Sequence, residues 1–385
     1  MKRLVVLSIA LLIGCGGGGN GHDSQTESAT ANYVDSPVSG IEYECGNIHG
    51  ITDVQGKFVF ERSKGCVFKI GNIVLKRISP QALENGKVIF ETSPLNASLL
   101  QTLDNDADPL NGITIQEKVR NVLKKITVKN LDDSNIEKIY EYIKNTEGYN
   151  GKFYSKTEAL LNLIKSQTVF IKNLISGKKL YVVSCTEEGV RINETEVNAN
   201  ADSMMNEDGR IIDINIAGSS IVMENNKTGQ IIPYKNKIKI IYQENGLPVY
   251  SSNIFFDLLE AEEFKNNLIS GKYIKSLIAG KVFYQFIKSP DGKLVLNRII
   301  IDKNATSGMF NVVDGSRLGG SFSIKINGNK LLIHIDGMDK DYSVEYLGRT
   351  GKMLIFAPSR NEINITSYMF FDESYARNLL EKELN

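Results

Sequence analysis

The sequence predicts a multidomain α+β protein in which antiparallel β structure dominates. Short alternating apolar runs, separated by glycine, asparagine and aspartate, fill residues 32–78 and 176–385. Between them, residues 79–175 place apolar side chains three and four positions apart, which is the spacing of amphipathic helices. A phrase that opens the long β region at 174–178 returns at 277–281, and this indicates an internal repeat.

Composition narrows the classes of function. The chain has 385 residues, 45 basic and 45 acidic, so no overall charge favours a nucleic-acid partner, and we expect none. The three histidines are scattered at positions 22, 49 and 334, which makes a histidine-based metal site or catalytic triad hard to build. The sequence has no G-x-S-x-G, H-E-x-x-H or phosphate-loop motif. We therefore expect a non-enzymatic protein with no catalytic residues.

The order of these patterns divides the chain into six segments. We expect a signal segment, a flexible tether, a small β-sandwich-like module, a short helical bundle with an acidic loop, and two β-barrel-like repeats, each closed by a helix. The expected boundaries are 1–14, 15–31, 32–78, 79–175, 176–268 and 269–385, respectively.

The N-terminus has the pattern of an export signal. Lys2 and Arg3 precede an apolar run over 4–13, which is too short to span a bilayer. The residues Leu12-Ile13-Gly14-Cys15 resemble the lipobox of bacterial lipoproteins. This resemblance implies that Cys15 becomes the lipidated first residue of the mature chain and attaches it to a membrane. The alternative is an ordinary cleaved signal with a chance cysteine.

The tether predicted over 15–31 is rich in glycine, serine and threonine and cannot bury much apolar surface. Gly16, rather than an acidic residue, follows Cys15. By resemblance to enterobacterial lipoprotein sorting, this implies a lipid-anchored protein of the bacterial outer membrane.

Residues 32–78 carry a compound motif. P-V-x-G at 37–40 is followed by G-x-T-D-x-x-G-x-F-x-F at 50–60. This pattern resembles the prealbumin-like modules of carboxypeptidase-regulatory and collagen-binding B-type repeats, which implies a stalk or adhesive spacer. Cys45 and Cys66 lie in this segment, and an oxidising compartment favours a disulfide between them. The alternative is two free buried thiols.

The helical unit contains one cluster of acidic residues. Asp104, Asp106 and Asp108 occupy alternate positions between two predicted helices, with Asn111 and Glu117 further along the chain. The spacing resembles that of EF-hand-like loops, and a hard cation such as Ca²⁺ takes six to eight oxygen ligands. The chain departs from the EF-hand pattern at Pro109 and Ile115. The sequence thus leaves two interpretations open, a structural Ca²⁺ site and a solvated inter-helix loop.

The repeated β region predicts two barrel-like units. Leu174–Lys178 opens the first copy, and the second opens either at Leu277–Lys281 or at the same phrase over 267–272. Phe255 and Phe370 stand near the ends of the two copies, each before an aspartate and a helical segment. The second copy contains eight strand-like runs, near 281–288, 293–302, 307–313, 319–327, 330–337, 340–348, 351–357 and 363–371. Eight antiparallel strands on short turns favour a closed barrel, and the architecture resembles that of lipocalins.

These features together predict a lipid-anchored envelope protein with a structural or binding role. A small apolar ligand or a protein is the expected partner besides the membrane, although the barrels could equally be filled by their own side chains. The alternatives are a surface adhesin or, less favoured, a hydrolase of envelope polymers.

Overall fold

The structure is a computed structural model. It describes residues 28–128, 131–186, 189–224, 227–244, 247–288, 294–313, 319–339, 341–358 and 367–384. The predicted fold class is confirmed, because antiparallel strands dominate and close into two eight-stranded barrels beside smaller sheets and helices. The predicted signal segment and Cys15 lie outside the described residues.

The N-terminal unit contains three small sheets. A three-stranded sheet has the order β5-β1-β8, a four-stranded sheet the order β4-β3-β6-β7, and β2 pairs with β9. Their bounds are β1 Ser28–Val34, β2 Val38–Ser39, β3 Glu42–Cys45, β4 Ile48–Ile51, β5 Lys57–Glu61, β6 Cys66–Ile70, β7 Ile73–Ile78, β8 Val88–Phe90 and β9 Ile113–Thr114.

The first strand corrects the predicted tether, which extended to residue 31. Ser28–Val34 is a strand that pairs with β5, and Ala29 and Ala31 are buried. Small residues in a polar context have the composition of a linker, but alternate alanines fit a sheet face packed closely on a core. The sequence alone does not show the pairing partner that makes this segment a strand.

The N-terminal unit also contains four helices. They are α1 Pro94–Thr102, α2 Glu117–Leu123, α3 Asp133–Ile143 and α4 Lys156–Ile175. The Ser93 side chain accepts a hydrogen bond from the Asn96 N–H, and Ser155 forms a capping box with Glu158.

One hydrophobic core joins the β module to the helical unit. Phe58 and Phe68 meet edge to face with ring centroids 4.8 Å apart, and the same cluster extends to Leu100 in α1 and Ile139 in α3. The boundary predicted at residue 78 therefore does not separate two cores. Neither the small sheets nor the short helices bury enough apolar surface alone, so they share it.

The predicted disulfide is present. Cys45 and Cys66 are bonded, with sulfur atoms 1.98 Å apart, and both are buried where β3 ends and β6 begins. Cys185 is the free cysteine of the described part.

The first barrel closes by pairing of β10 with β17. Its core is a contiguous set of aliphatic side chains to which the strands and Ile171 and Ile175 of α4 contribute. The strands are β10 Lys179–Thr186, β11 Gly189–Val197, β12 Ser203–Asn206, β13 Ile211–Ala217, β14 Ser220–Met223, β15 Lys227–Pro233, β16 Lys237–Glu244 and β17 Leu247–Phe255.

The second barrel has the eight strands expected from the sequence. They are β18 Val282–Lys288, β19 Leu294–Ile301, β20 Ser307–Val312, β21 Gly320–Asn327, β22 Lys330–Ile335, β23 Asp341–Arg349, β24 Met353–Pro358 and β25 Ser367–Phe370. Two helices, α5 Leu258–Ile269 and α6 Lys272–Ile278, connect the barrels, and α7 Glu373–Leu384 follows the second.

Local geometry supports the repeat. Gly177 and Gly280 adopt φ values of +64° and +66° after a helix, and their N–H groups donate to the Asn198 and Asp302 carbonyls. At the other end, Phe255 pairs with Tyr181 and Phe370 pairs with Tyr284, so each barrel closes through the equivalent pair of strands.

Candidate functional site

The acidic loop for which the sequence predicts a possible Ca²⁺ site lies between α1 and β9. Asp104 is fully buried, and its Oδ1 accepts hydrogen bonds from the backbone N–H groups of Asn105 and Thr114, at 3.0 and 2.8 Å. Its Oδ2 is buried without a hydrogen-bond partner among the described residues. Burial, together with the neighbouring Asp106 carboxyl, raises the pKa of Asp104 to about 7, although the backbone bond from Thr114 opposes the shift.

The other predicted ligands are exposed. Asp106 accepts bonds from the Asp108 N–H at 3.0 Å and the Asn111 side-chain amide at 3.1 Å, and these bonds lower its pKa. Asp108 Oδ1 accepts from the Leu110 N–H at 3.3 Å. These are Asx turns, which direct the carboxylates towards nearby N–H groups.

Glu117 lies in the first turn of α2 and is exposed. Across the described ranges, no group of three or more histidine, cysteine, aspartate or glutamate side chains is placed to hold a metal ion. The Ca²⁺ site therefore remains a prediction from the sequence.

A second polar site, which sequence reasoning missed, lies where the N-terminal unit meets both barrels. Glu84 follows a short 3-10 helix, Pro80–Ala82, in the loop before β8. The turn between β15 and β16 docks on this loop, because the Lys235 N–H donates to the Gly86 carbonyl at 2.8 Å. Glu84 is thereby placed against the outer face of the first barrel.

Side chains from both barrels surround the Glu84 carboxylate. Tyr234 donates its hydroxyl to Glu84 Oε1 at 3.0 Å. Lys239 Nζ lies 3.9 Å from Oε1, and Arg349 Nη1 lies 3.9 Å from Oε2. These two ion-pair distances are longer than direct hydrogen bonds, so Glu84 does not saturate either cation.

Arg349, at the end of β23, is held by the N-terminal unit. Its Nη2 donates to the Gln81 carbonyl at 2.7 Å, and its guanidinium lies 5.7 Å from the centre of the Phe371 ring. The Nε–H is buried and has no acceptor among the described residues. One donor of the guanidinium is thus left unsatisfied.

Two more lysines complete the cluster. Lys87 Nζ donates to the Ala82 carbonyl at 2.8 Å, and Lys237 Nζ donates to Asn253 Oδ1 at 3.0 Å. Lys237 also lies over the rings of Tyr234 and Phe255, at 5.2 and 5.3 Å.

Burial and the neighbouring charges shift the pKa values of Glu84, Lys87 and Lys237. Burial would raise the pKa of Glu84, but the charges of Lys239, Arg349 and the other two lysines hold it well below its usual range. Burial lowers the pKa of Lys87 and of Lys237 to about 8 each, and for Lys237 the Lys239 charge adds to the effect. Near neutral pH the cluster holds four cations, which face the carboxylates of Glu84 and Glu260.

A cleft of about 520 Å³ opens beside this cluster. Its charged lining residues are Glu84 and four basic residues, Arg62, Lys237, Lys281 and Arg349. Apolar side chains form other parts of the wall, namely Phe60, Leu83, Leu277 and Phe371. The arrangement suits an anionic ligand that also has an apolar or ring-shaped body.

In comparisons with known proteins, neither a protein-family model nor a curated protein sequence matches the chain. Among the described residues, no helix has both the length and the apolar character needed to cross a membrane.

Proposed function

We propose that this chain is a lipid-anchored protein of the bacterial outer membrane with a non-enzymatic binding role. The anchor rests on the basic and apolar N-terminal pattern that ends in Leu12-Ile13-Gly14-Cys15, followed by a glycine-rich tether. The buried Cys45–Cys66 disulfide fits this proposal, because such bonds persist in oxidising compartments outside the cytosol.

The observation that carries the binding role is the cleft at the junction. It is built from the N-terminal unit and both barrels, and it gathers buried charges that the carboxylates of Glu84 and Glu260 do not balance. Buried charges without full partners are costly to a fold. In a structural spacer these charges would only lower the stability of the fold. In a binding site they provide charge complementarity to a ligand.

Membrane fractionation tests the anchor. The Cys15→Ser variant should leave the membrane fraction and appear in the soluble periplasmic fraction, because the acceptor of the acyl chains is lost. Cys185→Ser is the matched control and should stay with the membranes. Retention of Cys15→Ser after an alkaline carbonate wash would refute the anchor assignment without bearing on the cleft.

A further inference from the structure

We infer that the cleft between the N-terminal unit and the two barrels binds a small organic anion with at least two negative charges, of the phosphate or polycarboxylate class. The inference rests on the proposed binding role and names its ligand class. It is argued from the charge balance of the cluster, from the hydrogen-bond donors of Arg349 and Lys237, and from the shape of the cleft.

The charge balance calls for a further anion. Glu84 is shared between Lys239 and Arg349 at 3.9 Å each, while its short hydrogen bond comes from the neutral Tyr234. Lys87 and Lys237 are half-buried beside it. Two carboxylates, Glu84 and Glu260, face these four cations and leave an excess of about two positive charges, so a bound dianion would bring the cluster close to neutral.

The donors are already oriented. Gln81 fixes the Arg349 guanidinium through Nη2, while the Nε–H of Arg349 has no acceptor in the described part of the chain. Asn253 and the ring of Tyr234 position the Lys237 ammonium, which has further donors. An arginine and a lysine presented in this way match the oxygen atoms of phosphate or carboxylate groups.

The shape of the cleft sets the size of the ligand. A volume of about 520 Å³ far exceeds that of a single phosphate ion and falls within the range of ordinary small-molecule sites. Phe371 and Leu277 line this cleft, and the guanidinium lies over the Phe371 ring. The anionic group would therefore bind at Arg349 and Lys237, with the body of the ligand against Phe371 and Leu277.

The same features argue against other occupants. A metal cation would be repelled by the excess positive charge. Membrane surfaces and nucleic acids need an exposed basic face, whereas Lys239 and Arg349 expose only 3% and 14% of their side chains. With metal cations, membrane surfaces and nucleic acids excluded, a small soluble anion is the occupant that fits this concave site.

Isothermal titration of the full chain in detergent micelles tests the inference. The probes are citrate, pyrophosphate and glucose 6-phosphate, with glucose as the neutral partner of the last. We expect the three anions to bind and glucose not to bind, with affinity that falls as salt rises. Failure of all three anions to bind, or equal binding of glucose and glucose 6-phosphate, would overturn the ligand class.

Variants then assign binding to the cleft. Arg349→Gln should lower citrate affinity by about tenfold or more, since a charge-assisted contact is lost. Lys281→Gln at the exposed rim should lower it about two- to threefold and leave the fold intact, which keeps the test informative if Arg349→Gln unfolds. Arg210→Gln, whose side chain pairs with Glu224 on the exposed outside of the first barrel, is the control and should leave affinity unchanged.

Equal citrate affinity for the wild type and for both cleft variants would overturn the inference. A neutral apolar dye, Nile red, separates this failure from failure of the binding role when it is added to the Cys15→Ser variant without detergent, since the dye would otherwise partition into micelles. If Nile red binds that variant and Leu277→Ala weakens it while the anions do not bind, the ligand class is wrong and the binding role stands.

Discussion

The hydroxyl of Tyr234 in the first barrel donates a 3.0 Å hydrogen bond to Glu84 in the N-terminal unit. This is the shortest contact of the Glu84 carboxylate, and it is made by a neutral group rather than by one of the surrounding cations. The bond links two units that are far apart in sequence, and it orients the Glu84 carboxylate at the junction.

Loss of this bond should destabilise the protein. Tyr234→Phe removes the hydroxyl and leaves the partly buried Glu84 carboxylate without its short donor, so we expect the free energy of unfolding to fall by about 2 kcal/mol. Urea denaturation gives the value. Tyr142→Phe, at an exposed position of α3, is the matched control and should change little. Equal losses in the two variants would mean that the Tyr234 bond contributes nothing specific.

Raising the pH above 8 should weaken anion binding and stabilise the free protein. In the folded state Lys87 and Lys237 have pKa values of about 8, whereas the ordinary pKa of lysine is 10.5. Between these values the unfolded chain binds more protons, so stability rises with pH. Citrate stays fully ionised in this range and should lose affinity as Lys237 loses its charge.

The other charged groups that face Lys237 are Lys239, Arg349, Glu84 and Glu260, and the low pKa of Glu84 keeps that acid ionised throughout. Citrate titrations and urea denaturation at pH 7 and pH 9.5 measure the two opposite trends. Constant citrate affinity across this range would show that Lys237 does not contact the anion.

The disulfide should contribute substantially to the stability of the N-terminal unit. The bond between Cys45 and Cys66 closes a loop with a sequence separation of 21 residues. Replacing both by alanine should lower the free energy of unfolding by about 3 kcal/mol, since the unfolded chain regains freedom. Cys185→Ala is the control for loss of a partly buried thiol. A double variant as stable as that control would contradict this role.

The predicted Ca²⁺ site has a distinct signature. A bound cation would need Asp104 in its ionised form, and the pKa of Asp104 is raised to about 7. Calcium should therefore raise the thermal midpoint more at pH 8 than at pH 6. The gain is about 2.7 kcal/mol at a hundredfold excess over the dissociation constant.

Asp106→Ala should abolish this gain, and Asp339→Asn, at an exposed position of the second barrel, should retain it. Equal midpoints of the wild type in Ca²⁺ and in chelator at pH 8 would leave the acidic segment as a hydrogen-bonded connector.

The strands and helices that are encoded by neighbouring residues could be predicted from the sequence. Asn327-Gly328 and Asp336-Gly337 are hairpin residues that lie between strands of the second barrel, and Ser155 forms the capping box of α4 with Glu158. The repeat then supplied the architecture of the first barrel. Such signals lie within a few residues of one another, so they can be read without knowing the tertiary fold.

The junction could not be predicted in this way. Lys237 and Lys239 alternate with Ile238 and Ile240, which is the pattern of a strand with one solvated face. Packing of the N-terminal unit on that face buries Lys239 and partly covers Lys237. The contact between Gln81 and Arg349 spans 268 residues, and no local spacing records it.

Glu84→Gln provides the most direct test of the anion site. This change removes the only acid among the described residues that line the cleft, and it hardly alters the shape of the cleft. Citrate affinity of the variant, measured by titration calorimetry at pH 7, should rise by about three- to tenfold, because a repelling charge is lost and Arg349 is freed. If the variant is less stable, citrate should raise its thermal midpoint more than that of the wild type. Unchanged or weakened citrate binding by a folded Glu84→Gln variant would contradict an anion site at the junction.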